Sequence, residues 1–279
     1  MNLFTPAEFV GNYSAAGVGK SKAPWWKLLI LGILAGTLIG FAALTTNMAC
    51  YAIENGSVVR ILSGVLFGFG LGLVILSGAE LFTGNTLMVM SVLDRRISVV
   101  GMLRNWGLVY AGNFIGAFLL SLLTARFNFF GAGNGMLAEY TMKVAQTKMT
   151  MPFMNAFVMG ILCNMLVVLA VLLSQAGKDG ASRILGAWAP VMLFVVCGFN
   201  HCIADMTYCM SGLFCVPYYA NHAGTFTALG WGKFLAGNLI PVTLGNIVGG
   251  CAIGAVMWAC FAAPADLFSK KKEKTEKTS

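Results

Sequence analysis

Charge is scarce in this chain: only 10 % of its residues are Asp, Glu, Lys or Arg, against about a quarter in an ordinary soluble domain. That shortage excludes a water-exposed globule. Histidine is nearly missing, with His201 and His222 the only two. Neither a Gly-x-Ser-x-Gly nor a His-Glu-x-x-His string occurs, so nucleophile–base and zinc-hydrolase chemistry have no carrier. The eight cysteines form no Cys-x-x-Cys pair and read as small buried hydrophobes, not as metal ligands or a disulfide framework. Residues 1–25 contain no apolar core that a signal peptide would need. An enzyme is therefore not expected, nor a cofactor.

What the chain has in plenty is uncharged sequence. Hydrophobic residues make up 58 % and the mean hydropathy is +0.80. Uncharged stretches run over 28–53, 61–79, 105–125, 149–177, 184–204 and 234–265. Each is near or above the roughly 20 residues that carry a helix across about 30 Å of hydrocarbon. This predicts an all-α membrane protein. Residues 1–26 form an N-terminal segment, with an amphipathic helix over 1–17 whose Leu3, Phe4, Phe9 and Val10 meet lipid or protein. Residues 27–265 form a six-span domain, and 266–279 a charged tail at the lipid surface. The net charge of +8 does not point to nucleic acid, because it is sorted by side. With both ends on one face, that face holds 13 of the Lys and Arg residues and the other only Arg60, Arg126, Lys143, Lys148 and Lys233. The positive-inside rule then places both termini in the cytoplasm, with the spans in the cytoplasmic (inner) membrane.

A repeat is countable. Asn105, Gly112, Asn113 and Gly116 recur as Asn238, Gly245, Asn246 and Gly249, each 133 positions later. The second and fifth spans are both interrupted by polar residues, from Gly78 and from Gly198. Two three-span units, about 27–126 and 149–265, follow. An odd number of spans inverts the second copy, and inverted repeats with broken helices place a solute site near the midplane. Half-helices resuming at Gly84 and Met206 would aim unpaired N–H groups and positive dipole ends inward, where they favour anions. Glycines 64, 68 and 72 make a smooth stripe for close packing within the bundle or between subunits.

Candidate residues sit in the two breaks. His201, beside Asn200, is either a satisfied core imidazole or a donor to an arriving anion. Thr83 either caps the following half-helix or offers a hydroxyl. Asp205 reads as an N-cap for the segment from Met206, and Glu80 as a buried acid bonded to backbone amides. Lys148 enters the fourth span, where a cation would draw anions into a vestibule.

The strings GAELFTGNT (78–86), NWGLVYAGNFIGA (105–117), GFNHCIADM (198–206) and NLIPVTLGNIVGG (238–250) resemble the formate/nitrite transporter family over essentially the whole chain. The resemblance implies a homopentamer of aquaporin-like six-helix protomers. Each protomer would hold a pore for small monovalent anions of weak acids: formate, nitrite and, in one branch, hydrosulfide. It also implies roles: Thr83 and His201 as the pore pair, Lys148 and Asn164 behind the histidine. Phe67 and Leu71 would form the cytoplasmic constriction, and Leu81, Phe82 and Phe194 the outer one. Narrow apolar rings dewet and resist charged solutes. Asn200 departs from the family pattern, which has Glu before the histidine. A site with Asn there is expected to be more electropositive, and the Asn-His-Cys wording at 200–202 resembles the hydrosulfide branch more closely. The expected function is an anion channel for hydrosulfide or formate, also nitrite, with permeation linked to protons. The rival is a channel for water, glycerol or ammonia.

Overall fold

The computed structural model describes residues 3–219 and 226–264; the tail expected over 266–279 and His222 lie outside them. Among the described residues the fold is helical, with one isolated bridge between Leu3 and Gly177. Helix α1 (Pro6–Lys22) leads into α2 (Trp25–Cys50) and α3 (Gly56–Ser77). The short α4 (Phe82–Leu93) precedes α5 (Val99–Arg126). Helix α6 (Met136–Met149) leads into α7 (Phe153–Ala176), α8 (Gly180–Cys197), the short α9 (Cys202–Cys215) and α10 (Trp231–Phe261). Six of these, α2, α3, α5, α7, α8 and α10, are long and apolar enough to cross a membrane.

Thr5 and Glu8 form a reciprocal capping box at the start of α1, with Pro6 in the first turn. The Thr5 amide and hydroxyl donate to the Glu8 carboxylate and hold its pKa below the usual value. Phe9, Val10, Tyr13 and Ser14 are buried against protein, and the Tyr13 hydroxyl donates to Gly84 O at 2.8 Å. Leu3 remains exposed.

The two helix breaks are built alike. Gly78 and Gly198 end α3 and α8 in the left-handed region, at φ 70° and 75°, which a residue with a Cβ enters only at a cost. The backbone then folds back: Ala79 N donates to Val74 O and Phe199 N to Phe194 O. The half-helices resume at Phe82 and Cys202, earlier than the expected Gly84 and Met206, because the staples described below stop the chain there.

The repeat glycines permit backbone contact. A Cβ at Gly116 would strike Ile33 O, and one at Gly249 would strike Ile161 O. Helix α5 therefore lies on α2 as α10 lies on α7. The 64/68/72 stripe packs onto Met192, Trp188 and Ile184 of α8, inside the protomer. The fourth span is shorter than its uncharged stretch: Pro152 separates α6 from α7, so Lys148 sits in the last turn of α6. Five of the eight cysteines are buried, while Cys197 and Cys260 are exposed and Cys251 is half-buried.

Candidate functional site

Two asparagines of the sequence repeat hold the breaks. Asn113 Oδ1 accepts from Phe82 N at 3.0 Å, and its Nδ2 donates to Gly32 O and Glu80 O. Asn246 Oδ1 accepts from Cys202 N at 2.9 Å, and its Nδ2 donates to Gly160 O and Asn200 O. Each amide satisfies the first N–H of a half-helix and two carbonyls of the strands of chain around it. Polar backbone is stable at this depth only when protein satisfies it in this way. The repeat spacing marked both asparagines, but it offered no hint of this bonding role.

The breaks meet at Thr83 and His201. Thr83 Oγ1 lies 2.8 Å from His201 Nε2, and both residues are buried. His201 is itself the N-cap of α9: Nδ1 accepts from Ala204 N at 3.1 Å. An accepting Nδ1 in a neutral ring puts the proton on Nε2, so the ring donates to Thr83. Thr86 Oγ1 donates to Thr83 O at 2.6 Å. Asn164 makes no hydrogen bond to the histidine. Its Nδ2 donates to Asn246 O, Thr86 Oγ1 and Thr83 O, bracing the first break against α10. The asparagine expected behind the histidine thus reaches it through Thr83.

Lys148 is caged rather than free. Its ammonium donates to Asp205 Oδ1 at 2.5 Å and Asn200 Oδ1 at 2.9 Å, with Asp205 almost fully buried. Asn238 Nδ2 donates to Asp205 Oδ2 and to Lys148 O. Asp205 is therefore a counter-ion in the first turn of α9, not its N-cap, a place His201 takes. The break after Gly78 has the same cage, around Lys20 of α1. Its ammonium donates to both oxygens of Glu80 at 2.8 Å and to Asn85 Oδ1 at 3.0 Å. Asn85 Nδ2 reaches Glu80 and Asn105, and Asn105 Nδ2 reaches Lys20 O. Glu80 thus pairs with an ammonium, not with backbone amides.

The two cages differ by one exchange. Glu80 and Asn85 stand 120 positions before Asn200 and Asp205, so carboxylate and amide have traded places. The expectation that Asn200 makes the site more electropositive is overturned, because Asp205 returns the missing negative charge to Lys148. Counting along the two breaks exposes this exchange once Gly78 is set on Gly198.

Apolar side chains close the space between the cages. Phe67 and Phe194 meet edge to face with ring centroids 6.0 Å apart, and Phe194 stacks on His201. Beyond them a vestibule of about 400 Å³ reaches Lys148, Asp205, Arg60 and His201. Leu71 and Leu81 face a second vestibule of about 230 Å³ beside Lys20, Glu80 and Tyr13. Between the two lies a chamber of about 10 Å³ bounded by Phe67, Leu71, Leu81, Phe194, His201, Ile39, Val167 and Val191, room for about one water. The constrictions are thus Phe67 with Phe194 and Leu71 with Leu81, so Phe67 and Leu81 exchange sides relative to expectation. Phe82 belongs to neither: its ring packs on Trp106 and Tyr110, because the residue after Leu81 points across the break toward α5.

Six apolar helices, two of them followed by breaks that meet over a small chamber between two vestibules, define a multi-pass membrane protein of the channel type. A profile described as formate/nitrite transporter matches residues 7–260. Among relatives, an uncharacterized transporter of Bacillus subtilis, YrhG, is 38 % identical, covering 91 % of each chain. The formate channel FocA of Haemophilus influenzae is 35 % identical over 88 % of this chain and 87 % of its own. Among solved structures, a pentameric formate channel with formate bound superposes with a TM-score of 0.76 at 32 % identity, covering 86 % of this chain and 98 % of that one. An FNT family ion channel superposes with a TM-score of 0.77 at 26 % identity, covering 92 % and 99 %. This chain belongs to the formate/nitrite transporter family, a family of channels and transporters rather than enzymes.

Proposed function

We propose that this protein passes small monovalent anions of weak acids, formate first among them, through a pore in each protomer of a homopentamer. The observation that carries the reading is the Thr83–His201 pair, whose imidazole lines a chamber closed on both sides by apolar constrictions. An anion squeezed into that chamber sheds water. The Nε2–H of His201 and the hydroxyl of Thr83 then replace part of its hydration. An unpaired charge at mid-bilayer costs at least about 3 kcal/mol. A His201 ring that has first taken a second proton from vestibule water lends it to the anion inside the chamber and takes it back at the exit. The acid is neutral only inside the chamber, and net negative charge still crosses. Nitrite and hydrosulfide satisfy the same chemistry. The lean toward hydrosulfide rests on the Asn-His-Cys wording of the second break, whereas FocA and one solved neighbour are formate channels, so formate stands first. The Asp205 counter-ion leaves no extra positive charge at Asn200 to favour either anion. Lys148 and Asn200 then act by shaping the vestibule, and Asn164 by bracing Thr83. The basic face carrying α1 lies in the cytoplasm, with the spans in the cytoplasmic membrane.

The test is flux in proteoliposomes of formate, nitrite, hydrosulfide, chloride, lactate and glycerol across pH. Formate flux that depends on voltage and on pH is expected. Flux of glycerol alone, or a His201→Ala variant with unaltered formate flux and pH profile, would remove the reading.

A further inference from the structure

The two mouths differ in net charge. At the α1 side, Lys20 and Glu80 are the charged residues lining the vestibule, and they pair with each other. At the other side the charged lining is Lys148, Asp205 and Arg60. Lys148 and Asp205 cancel. Arg60, exposed in the second turn of α3, has no acidic partner among the described residues. Its Nη1 donates to Val196 O at 3.2 Å, a free carbonyl at the end of α8. That bond holds the guanidinium over the break at Gly198, next to the entrance guarded by Phe194. Glu54 and Lys143 line the adjoining groove and offset one another in sign.

We infer that Arg60 is the anion-capturing cation of the mouth beside Gly198, and that it makes the vestibule linings electrically unlike: net positive at Arg60 and neutral at Lys20, where the other basic residues of the α1 face stand outside the lining. The inference rests on the proposed anion permeation and deepens it. The caged lysines are poor recruiters because each already has a carboxylate within hydrogen-bond distance. Arg60 cannot lose its proton, and it is exposed and lines the vestibule. A unit charge in a concave, low-dielectric mouth raises the local anion concentration, here by about two- to five-fold for a partly screened charge at vestibule distance.

Single-channel currents in symmetric sodium formate test this without a need to know orientation. At about 20 mM salt the wild-type protein is expected to rectify about two- to five-fold, and at about 1 M the asymmetry disappears by screening. Arg60→Gln abolishes the rectification at low salt, whereas Arg60→Lys keeps it. If Arg60→Gln fails to assemble, the salt dependence of the wild type and of Arg60→Lys decides. Formate currents that are symmetric at low salt, or that rectify equally at both salt concentrations or in Arg60→Gln, overturn the role of Arg60 and leave anion permeation standing. A wild-type protein without formate current overturns both.

Discussion

Removing the carboxylate of Asp205 is the most informative perturbation of the site. In the wild type the Lys148 side chain is 17 % exposed and that of Asp205 1 % exposed, with 2.5 Å between charged atoms. Asp205→Asn keeps the shape and leaves an ammonium buried with only amide oxygens around it. Breaking a buried ion pair from one side costs about 3–5 kcal/mol. For a chain of this size that amounts to a loss on the order of 10 °C in melting temperature. The cage around Lys20 shows how to repair it. There the acid stands directly in the break, and both Glu80 oxygens reach the ammonium at 2.8 Å. Asn200 occupies the corresponding place, 2.9 Å from Lys148. The double variant Asn200→Glu/Asp205→Asn should therefore recover most of the lost stability. Asn200→Glu alone crowds a second carboxylate onto one lysine and is expected to lower anion flux. Thermal melts of the detergent-solubilised protein, arranged as a double-mutant cycle, measure the coupling; formate flux in liposomes follows the charge. A double variant no more stable than Asp205→Asn would show that the two positions are not interchangeable homes for one counter-ion, and the reasoning from the repeat would fail.

The constrictions give a paired prediction. Phe194→Ala should open the far side of the chamber, raising formate conductance and admitting lactate, while Phe82→Ala leaves anion selectivity unchanged because that ring faces Trp106 and Tyr110; ion-replacement currents distinguish them. Asn113→Ala and Asn246→Ala each orphan a buried N–H and two carbonyls. At about 1–3 kcal/mol per unsatisfied group, both should fail to yield a monodisperse protein on size exclusion; a normal elution profile would refute the stapling role.

Much of this molecule was legible before any coordinates. The hydrocarbon thickness demands spans of one length, so six crossings could be counted from uncharged runs, and water-free surroundings forbid idle polar groups, so Thr83 and His201 stood out in the two breaks. The inverted repeat was visible because glycine is needed wherever one backbone meets another. What eluded the sequence was partnership. Whether Lys148 is a lure or half of an ion pair depends on Asp205, 57 positions away. Whether Phe67 guards one mouth or the other depends on which side of the chamber its ring meets Phe194. Composition and spacing record which groups must be satisfied in the membrane; only the packing of α6 against α9 and of α3 against α8 decides which group satisfies which, because distances between side chains remote in the chain exist only once the helices have met.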